Sequence, residues 1–313
     1  MGQQEVRHEV RTVDVRGLSL VFDDYGALEL PVIFCYHGFL DHAGVWPAVL
    51  RPLTERFRFI TPDFRGHGRS DWIGAGGYYH FLDNVSDASK LVDAVGAPRF
   101  SVLGHSMGGS IAMAIAGLYA DRVDAVVALE GMGPPSEELL SAPYRLEQWV
   151  SALKAPGLDV DAAARRAQRK PMPGGVAEAA ERMRRVNPRL GSDRALEIAG
   201  CGTEPHPSGG VVWRFDPLHK TPGARPFGAS EWHHHWARVT APVLSLYGGE
   251  TEWMVGDLAE RHAQLRRVLV GLVDGAGHNI HHDRPEVVSA ALSAWMSGEN
   301  GALPAGVRPL AVG

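Results

Sequence analysis

The sequence predicts an α/β protein: a mostly parallel central sheet flanked by helices, with an inserted, mostly helical cap. Three observations predict it. Short apolar runs alternate with helix-patterned segments along the first part of the chain. That rhythm breaks at Gly133-Pro134-Pro135. It returns after about residue 238. A length of 313 residues suits one domain carrying a large insertion. The division expected is core over 1–132 and 238–297, cap over 133–237, and a loosely held tail over 298–313, rich in Gly, Pro and Ala.

The elements follow in chain order. Residues 10–15 and 18–23 read as strands around the turn Arg16-Gly17. Val32–Tyr36 is a continuous apolar run, the signature of a strand buried on both faces. Residues 57–61 are similar and end at Pro62. Phe81–Val95 carries Leu82, Val85, Leu91, Val92 and Val95 at helical spacing, and Gly96-Ala97-Pro98 stops it. Residues 100–103 form a strand, 107–119 an Ala/Ile-rich helix, and Val123–Leu129 another strand. Inside the insertion, residues 162–185 are helical in composition but interrupted at Pro171-Met172-Pro173-Gly174-Gly175, and 200–230 reads as loop. Strands at 243–247 and Val268–Val273, a helix near 256–265 and another after Pro285 complete the pattern.

Composition excludes several classes. Hydrophobic residues at 45% and charged residues at 21% support a buried core rather than disorder. With 31 Lys and Arg against 36 Asp and Glu, the net charge is −5, so nucleic acid is not an expected partner. Two cysteines, Cys35 and Cys201, make no disulfide framework and suit a reducing compartment. The first ten residues show no apolar signal segment, and Val6 stands where a myristoylation signal wants Ser or Thr. No run is apolar enough to span a bilayer, so a cytoplasmic location is expected.

Gly104-His105-Ser106-Met107-Gly108 matches G-x-S-x-G between a strand and a helix. A nucleophile elbow needs that context, because it holds Ser on a sharp, strained turn. Small neighbours let strand and helix approach closely, hence Gly104, Gly108 and Gly109. The helix N-terminus offers unpaired N–H groups to a developing oxyanion. Ser106 is therefore the candidate nucleophile. The backbone N–H groups of Met107 and of Phe39, in the loop after Val32–Tyr36, are the candidate oxyanion hole.

With Tyr36-His37-Gly38-Phe39, the segment 62–70 around Gly66-His67-Gly68, the elbow and Gly275-Ala276-Gly277-His278 in this order, the chain resembles the α/β-hydrolase fold superfamily. The resemblance covers the chain outside the cap. Leu129-Glu130-Gly131-Met132-Gly133-Pro134 looks most like the branch with serine hydrolase-like proteins and haloalkane dehalogenases. The dehalogenases put Asp at the elbow, where this chain has Ser106, so their chemistry is not implied. The resemblance makes His278 the base, in a Gly-rich loop shared with His281 and His282. His37 is expected to bond loop backbone, His105 to point away from the nucleophile, and Asp63 and Arg65 to tie loops together.

Two carboxylates satisfy the order Ser, acid, His. Glu252 follows the strand at 243–247, where most of the superfamily keeps its acid. Glu130 ends the preceding strand, where the dehalogenase-like branch keeps it. A charge at the end of an apolar strand is costly without a partner, which favours Glu130. Glu252 stays open as the alternative.

No cofactor or metal is expected. Spaced metal-ligand motifs do not appear, and His233, His234 and His235 are adjacent, so they cannot share one face. Trp149, Trp213 and Trp232 suggest apolar walls in or near the cap. The function expected is hydrolysis of a small-molecule ester or related acyl compound through an acyl-enzyme. The alternatives are carbon–carbon bond hydrolysis or lyase chemistry on the same site, or a non-catalytic ligand-binding protein of this fold.

Overall fold

A run of apolar residues with no polar face is satisfied only between two layers. Val32–Tyr36 is buried at every position, and Val123–Leu129 at all but Asp124. The computed structural model describes residues 7–155, 157–158, 160–299 and 301–310. The N-terminal hexapeptide and the last three residues of the expected tail lie outside the described residues.

The first half contains β1 (His8–Val15), β2 (Leu18–Tyr25), β3 (Val32–Tyr36), α1 (Pro47–Leu50), β4 (Arg58–Pro62), α2 (Phe81–Val95), β5 (Phe100–His105), α3 (Met107–Leu118) and β6 (Val123–Leu129). The insertion holds α4 (Ala142–Leu153), α5 (Ala162–Ala167), α6 (Gly175–Val186), α7 (Ser192–Gly202), β7 (Thr203–Pro205), β8 (Val211–Trp213) and α8 (Ala229–Trp236). Then come β9 (Val243–Gly248), α9 (Leu258–His262), β10 (Val268–Val273), α10 (Ile280–Asp283), α11 (Pro285–Met296) and β11 (Val307–Pro309).

Nine strands form one sheet in the order β1-β2-β4-β3-β5-β6-β9-β10-β11. The six from β4 to β10 run parallel, and β1, β2 and β11 are antiparallel additions at the two edges. β4 lies on one side of β3 and β5 on the other. Connections therefore leave in opposite directions from the β3–β5 pair, which opens a crevice at its C-terminal end. Side chains alternate across the sheet. Phe34 and Tyr36 pack with Leu91 of α2 and Ile111 of α3, while Ile33 and Cys35 pack with Leu50 of α1 and Trp295 of α11. The α2 helix stops at Gly96, whose φ of 71° is a left-handed cap that glycine tolerates.

The described residues of 133–237 add no strand to this sheet. Two local differences from the sequence reading stand out. The stretch 200–230 begins as the end of α7 and continues into the antiparallel pair β7–β8. The segment expected as a loose tail from 298 instead adds β11 to the sheet, with Leu272 opposite Arg308. Three-residue strands carry too little periodicity to stand out in sequence.

Candidate active site

Three loops at the C-terminal ends of β5, β6 and β10 converge on the crevice. The first is the elbow. Ser106 has φ 51° and ψ −117°, a conformation outside the regions L-residues favour. The surroundings enforce it: Ser106 N–H donates to Leu129 O at 2.8 Å, and Ser106 O accepts from Ser110 N at 3.1 Å. A Cβ on Gly104 or Gly109 would run into the backbone of Gly108 or Gly131, so strand and helix can come this close only with glycine there.

The second loop carries Glu130, also left-handed at φ 48°. Its N–H donates to Leu246 O at 2.8 Å, fixing the residue to β9. Its carboxylate is buried and accepts from Gly248 N–H (2.9 Å) and Thr251 Oγ–H (2.9 Å). The third loop carries His278. Its Nδ1–H donates to Glu130 Oε2 at 2.6 Å. In the neutral ring this leaves Nε2 bare, and Nε2 lies 3.1 Å from Ser106 Oγ, where it can accept the hydroxyl proton. One imidazole thus joins a hydroxyl to a buried carboxylate.

The other candidates sort around this group. Glu252 is exposed on the loop after β9, and Glu130 occupies His278 Nδ1. Phe39 and Met107 both line the same cavity as Ser106, Glu130 and His278. Met107 is the first residue of α3, so its N–H has no acceptor within the helix. Beside Phe39, the N–H groups of Leu40 and Asp41 are taken by His67 Nε2 and Gly38 O. His37 donates to Gly38 O (2.7 Å) and accepts from Phe64 N–H (3.0 Å), bracing that loop. Asp63 accepts from Ala43 N–H and Arg69, and Arg65 forms a two-pronged pair with Asp87, so both tie loops as expected.

Two supporting roles escaped the sequence reading. Thr251 anchors Glu130. His105 is buried, and its Nε2–H donates to the carbonyl of His278 at 2.9 Å, holding the third loop against the elbow. Burial, then the neighbouring His281 and His278 rings, push the His105 pKa well below the usual imidazole range.

The cavity over Ser106 has a volume of about 520 Å³. A second, of about 470 Å³, is lined by Phe227, Trp232 and Trp236 from the insertion and its end. Phe81, Ser110, Gly133 and Pro134 line both, so the two adjoin along one wall. Phe81 meets Trp232 edge to face at 5.4 Å. Among the described residues, no helix is long and apolar enough to cross a membrane.

Comparison with known proteins agrees with this architecture. Residues 31–285 match the family model for the alpha/beta hydrolase fold. A serine hydrolase-like protein of Danio rerio is 26% identical over 272 residues, covering 84% of this chain and 81% of its own length. Epoxide hydrolase A of Mycobacterium tuberculosis is 26% identical over 321 residues, covering 92% of this chain and 97% of its own. Among solved structures, the thioesterase domain from the curacin biosynthetic pathway superposes with a TM-score of 0.79 at 24% identity, over 93% of this chain and all of that one. At that identity the likeness concerns the fold alone.

Proposed function

The chain belongs to the alpha/beta hydrolase fold family, and on that premise we propose that it is a serine hydrolase cleaving an ester or related acyl bond. Ser106 is the nucleophile, His278 the general base and acid, and Glu130 the carboxylate that orients His278. Ser106 Oγ attacks the carbonyl carbon as its proton passes to His278 Nε2. The tetrahedral oxyanion lies against the N–H groups of Met107 and Phe39. His278 then gives the proton to the leaving group, and a water activated by the same nitrogen hydrolyses the acyl-enzyme. Glu130 keeps the ring in the productive tautomer and stabilises its charged form. This cycle draws on no cofactor.

The observation that carries the proposal is the single His278 ring, 3.1 Å from Ser106 Oγ and 2.6 Å from Glu130 Oε2. Residues 133–237 serve as a cap, and the adjoining second cavity receives an apolar acyl or aromatic group, since Phe227, Trp232 and Trp236 line it. Reaction with a fluorophosphonate tests the nucleophile. The expected result is a stoichiometric adduct on Ser106 and none on a folded Ser106→Ala protein. Absence of any adduct, with no ester turned over, would leave the ligand-binding reading in place. Carbon–carbon cleavage would use the same three residues, and a panel of activated esters beside β-diketones separates it from ester hydrolysis.

A further inference from the structure

Behind the catalytic histidine lies a group of side chains that the proposed reaction does not use. Asp41 follows β3, His105 ends β5, and His281 lies in α10. Each offers a ligand atom, and the three atoms lie within 4.8 Å of one another. His281 is fully buried and His105 nearly so. His105 Nδ1, both ring nitrogens of His281, and Nε2 of the adjacent His282 have no hydrogen-bond partner among the described residues. Buried polar atoms are normally paired, so several bare nitrogens around one carboxylate call for an occupant.

Their arrangement indicates which occupant. His105 donates its Nε2–H to the His278 carbonyl, which leaves Nδ1 as a bare lone pair. Metal-bound histidines are commonly held in this way, with the second ring nitrogen on a backbone carbonyl. His281 Nε2 stands 3.8 Å from Asp41 Oδ2, too far for a hydrogen bond. Two ligand bonds of about 2.0–2.2 Å around a tetrahedral ion separate their donor atoms by roughly 3.3–3.6 Å, so a small inward shift completes the pair. His282 Nε2, 3.4 Å from the same oxygen, stands where it can orient the carboxylate. Gly38 packs so closely that a Cβ there would stand 2.7 Å from His105 Nδ1, so only glycine leaves that nitrogen uncovered. Asp41 and His105 also line the cavity over Ser106, which gives an ion an entry path.

We propose that Asp41, His105 and His281 bind one divalent transition-metal ion, with Zn²⁺ as the ion this donor set suits. Two imidazoles, one carboxylate and an open position form a recognised zinc set, and imidazole also suits Cu, Ni and Co. The ion is a clamp. It ties together the oxyanion loop, the elbow and the His278 loop, and it takes no part in acyl transfer.

Calorimetric titration with ZnCl₂ of metal-stripped protein tests this. The parent protein should carry Cys201→Ser and His233→Ala, His234→Ala and His235→Ala, which removes an exposed thiol and a local histidine run that could hold metal of their own. The expected result is one ion per chain, with affinity falling at least about tenfold in both Asp41→Asn and His281→Gln. Co²⁺ loading of the parent should give the visible spectrum of a low-symmetry imidazole–carboxylate site, a readout that needs no substitution in the cluster. No binding by the parent, an aqueous Co²⁺ spectrum, or unchanged affinity in the folded variants would overturn the proposal.

Discussion

At the scale of single residues, the choice between Glu130 and Glu252 turns on what each carboxylate touches. Glu130 is buried and accepts three hydrogen bonds, one of them from His278. Glu252 faces solvent. Exchanging the carboxylate for an amide presents the wrong partner to the imidazole, and in a serine protease such a change costs about 10⁴ in kcat. Glu130→Gln is expected to lose activity on that order, and Glu252→Gln to stay within about threefold of the parent. Steady-state kinetics on one activated ester compares them, and the reverse pattern would move the acid to Glu252. The two were hard to separate in sequence because both follow a strand and both lie between Ser106 and His278. Strand-end burial pointed to Glu130, but only the β6–β9 pairing shows which strand end meets the histidine loop. Ser106, by contrast, was legible because its motif and its strand-to-helix context are local.

At the scale of elements, strain gathers where the site is built. Four described non-glycine residues have positive φ: Arg16, Leu40, Ser106 and Glu130. Three of them stand on loops lining or flanking the cavity over Ser106. Such conformations persist only where the surroundings over-determine them. Gly109 is part of that surrounding, because a Cβ there meets the Gly131 backbone. Gly109→Ala is expected to destabilise the fold by about 1–3 kcal/mol, read as a lower denaturant midpoint. An unchanged midpoint would mean that α3 and the Glu130 loop can part without cost.

The second cavity allows a cleaner test of substrate choice. A Cβ on Gly228, which lines it, meets nothing closer than Ser230 Oγ at 3.9 Å. Gly228→Leu should fill the cavity without disturbing the backbone. The expected outcome is a loss of at least about tenfold in kcat/KM for decanoyl esters, with acetyl esters unaffected. Equal effects on both would place the acyl group elsewhere. Little of this wall is legible in the sequence. Trp232 suggests an apolar wall there, but its meeting with Phe81 of α2 depends on how the insertion folds back over the core.

Across the whole molecule, the buried histidines set an acid limit. His37 and His67 each donate from one ring nitrogen to a carbonyl and accept a backbone N–H with the other. Protonation would set N–H against N–H. Burial lowers the pKa of both, and it lowers His219 and His262 to about 4. Unfolded, each takes up its proton near pH 6.5, while the folded chain resists until lower pH. The stability these groups contribute is present above about pH 6.5 and is lost as pH falls below it, through about 4 for His219 and His262, by up to about 1.4 kcal/mol per pH unit for each group. Urea unfolding at pH 7 and pH 5 is expected to show a clear fall, with a shallower slope in His262→Gln. A flat profile would mean that these rings are accessible.

The same long-range packing explains what the sequence reading could not reach. The parallel sheet was legible from its apolar runs. The β11 pairing, and the meeting of Asp41 after β3, His105 at the end of β5 and His281 in α10, depend on tertiary proximity that no local spacing encodes.

In the proposed cycle Ser106 carries the acyl group between two half-reactions. Rapid-mixing kinetics with a p-nitrophenyl ester tests it most directly. The expected result is a burst of one nitrophenolate per chain, and an intact-protein mass increased by the acyl group on Ser106, with loss of both in Ser106→Ala. Ester turnover without a burst or an acyl adduct, retained at a similar rate in folded Ser106→Ala, would contradict it.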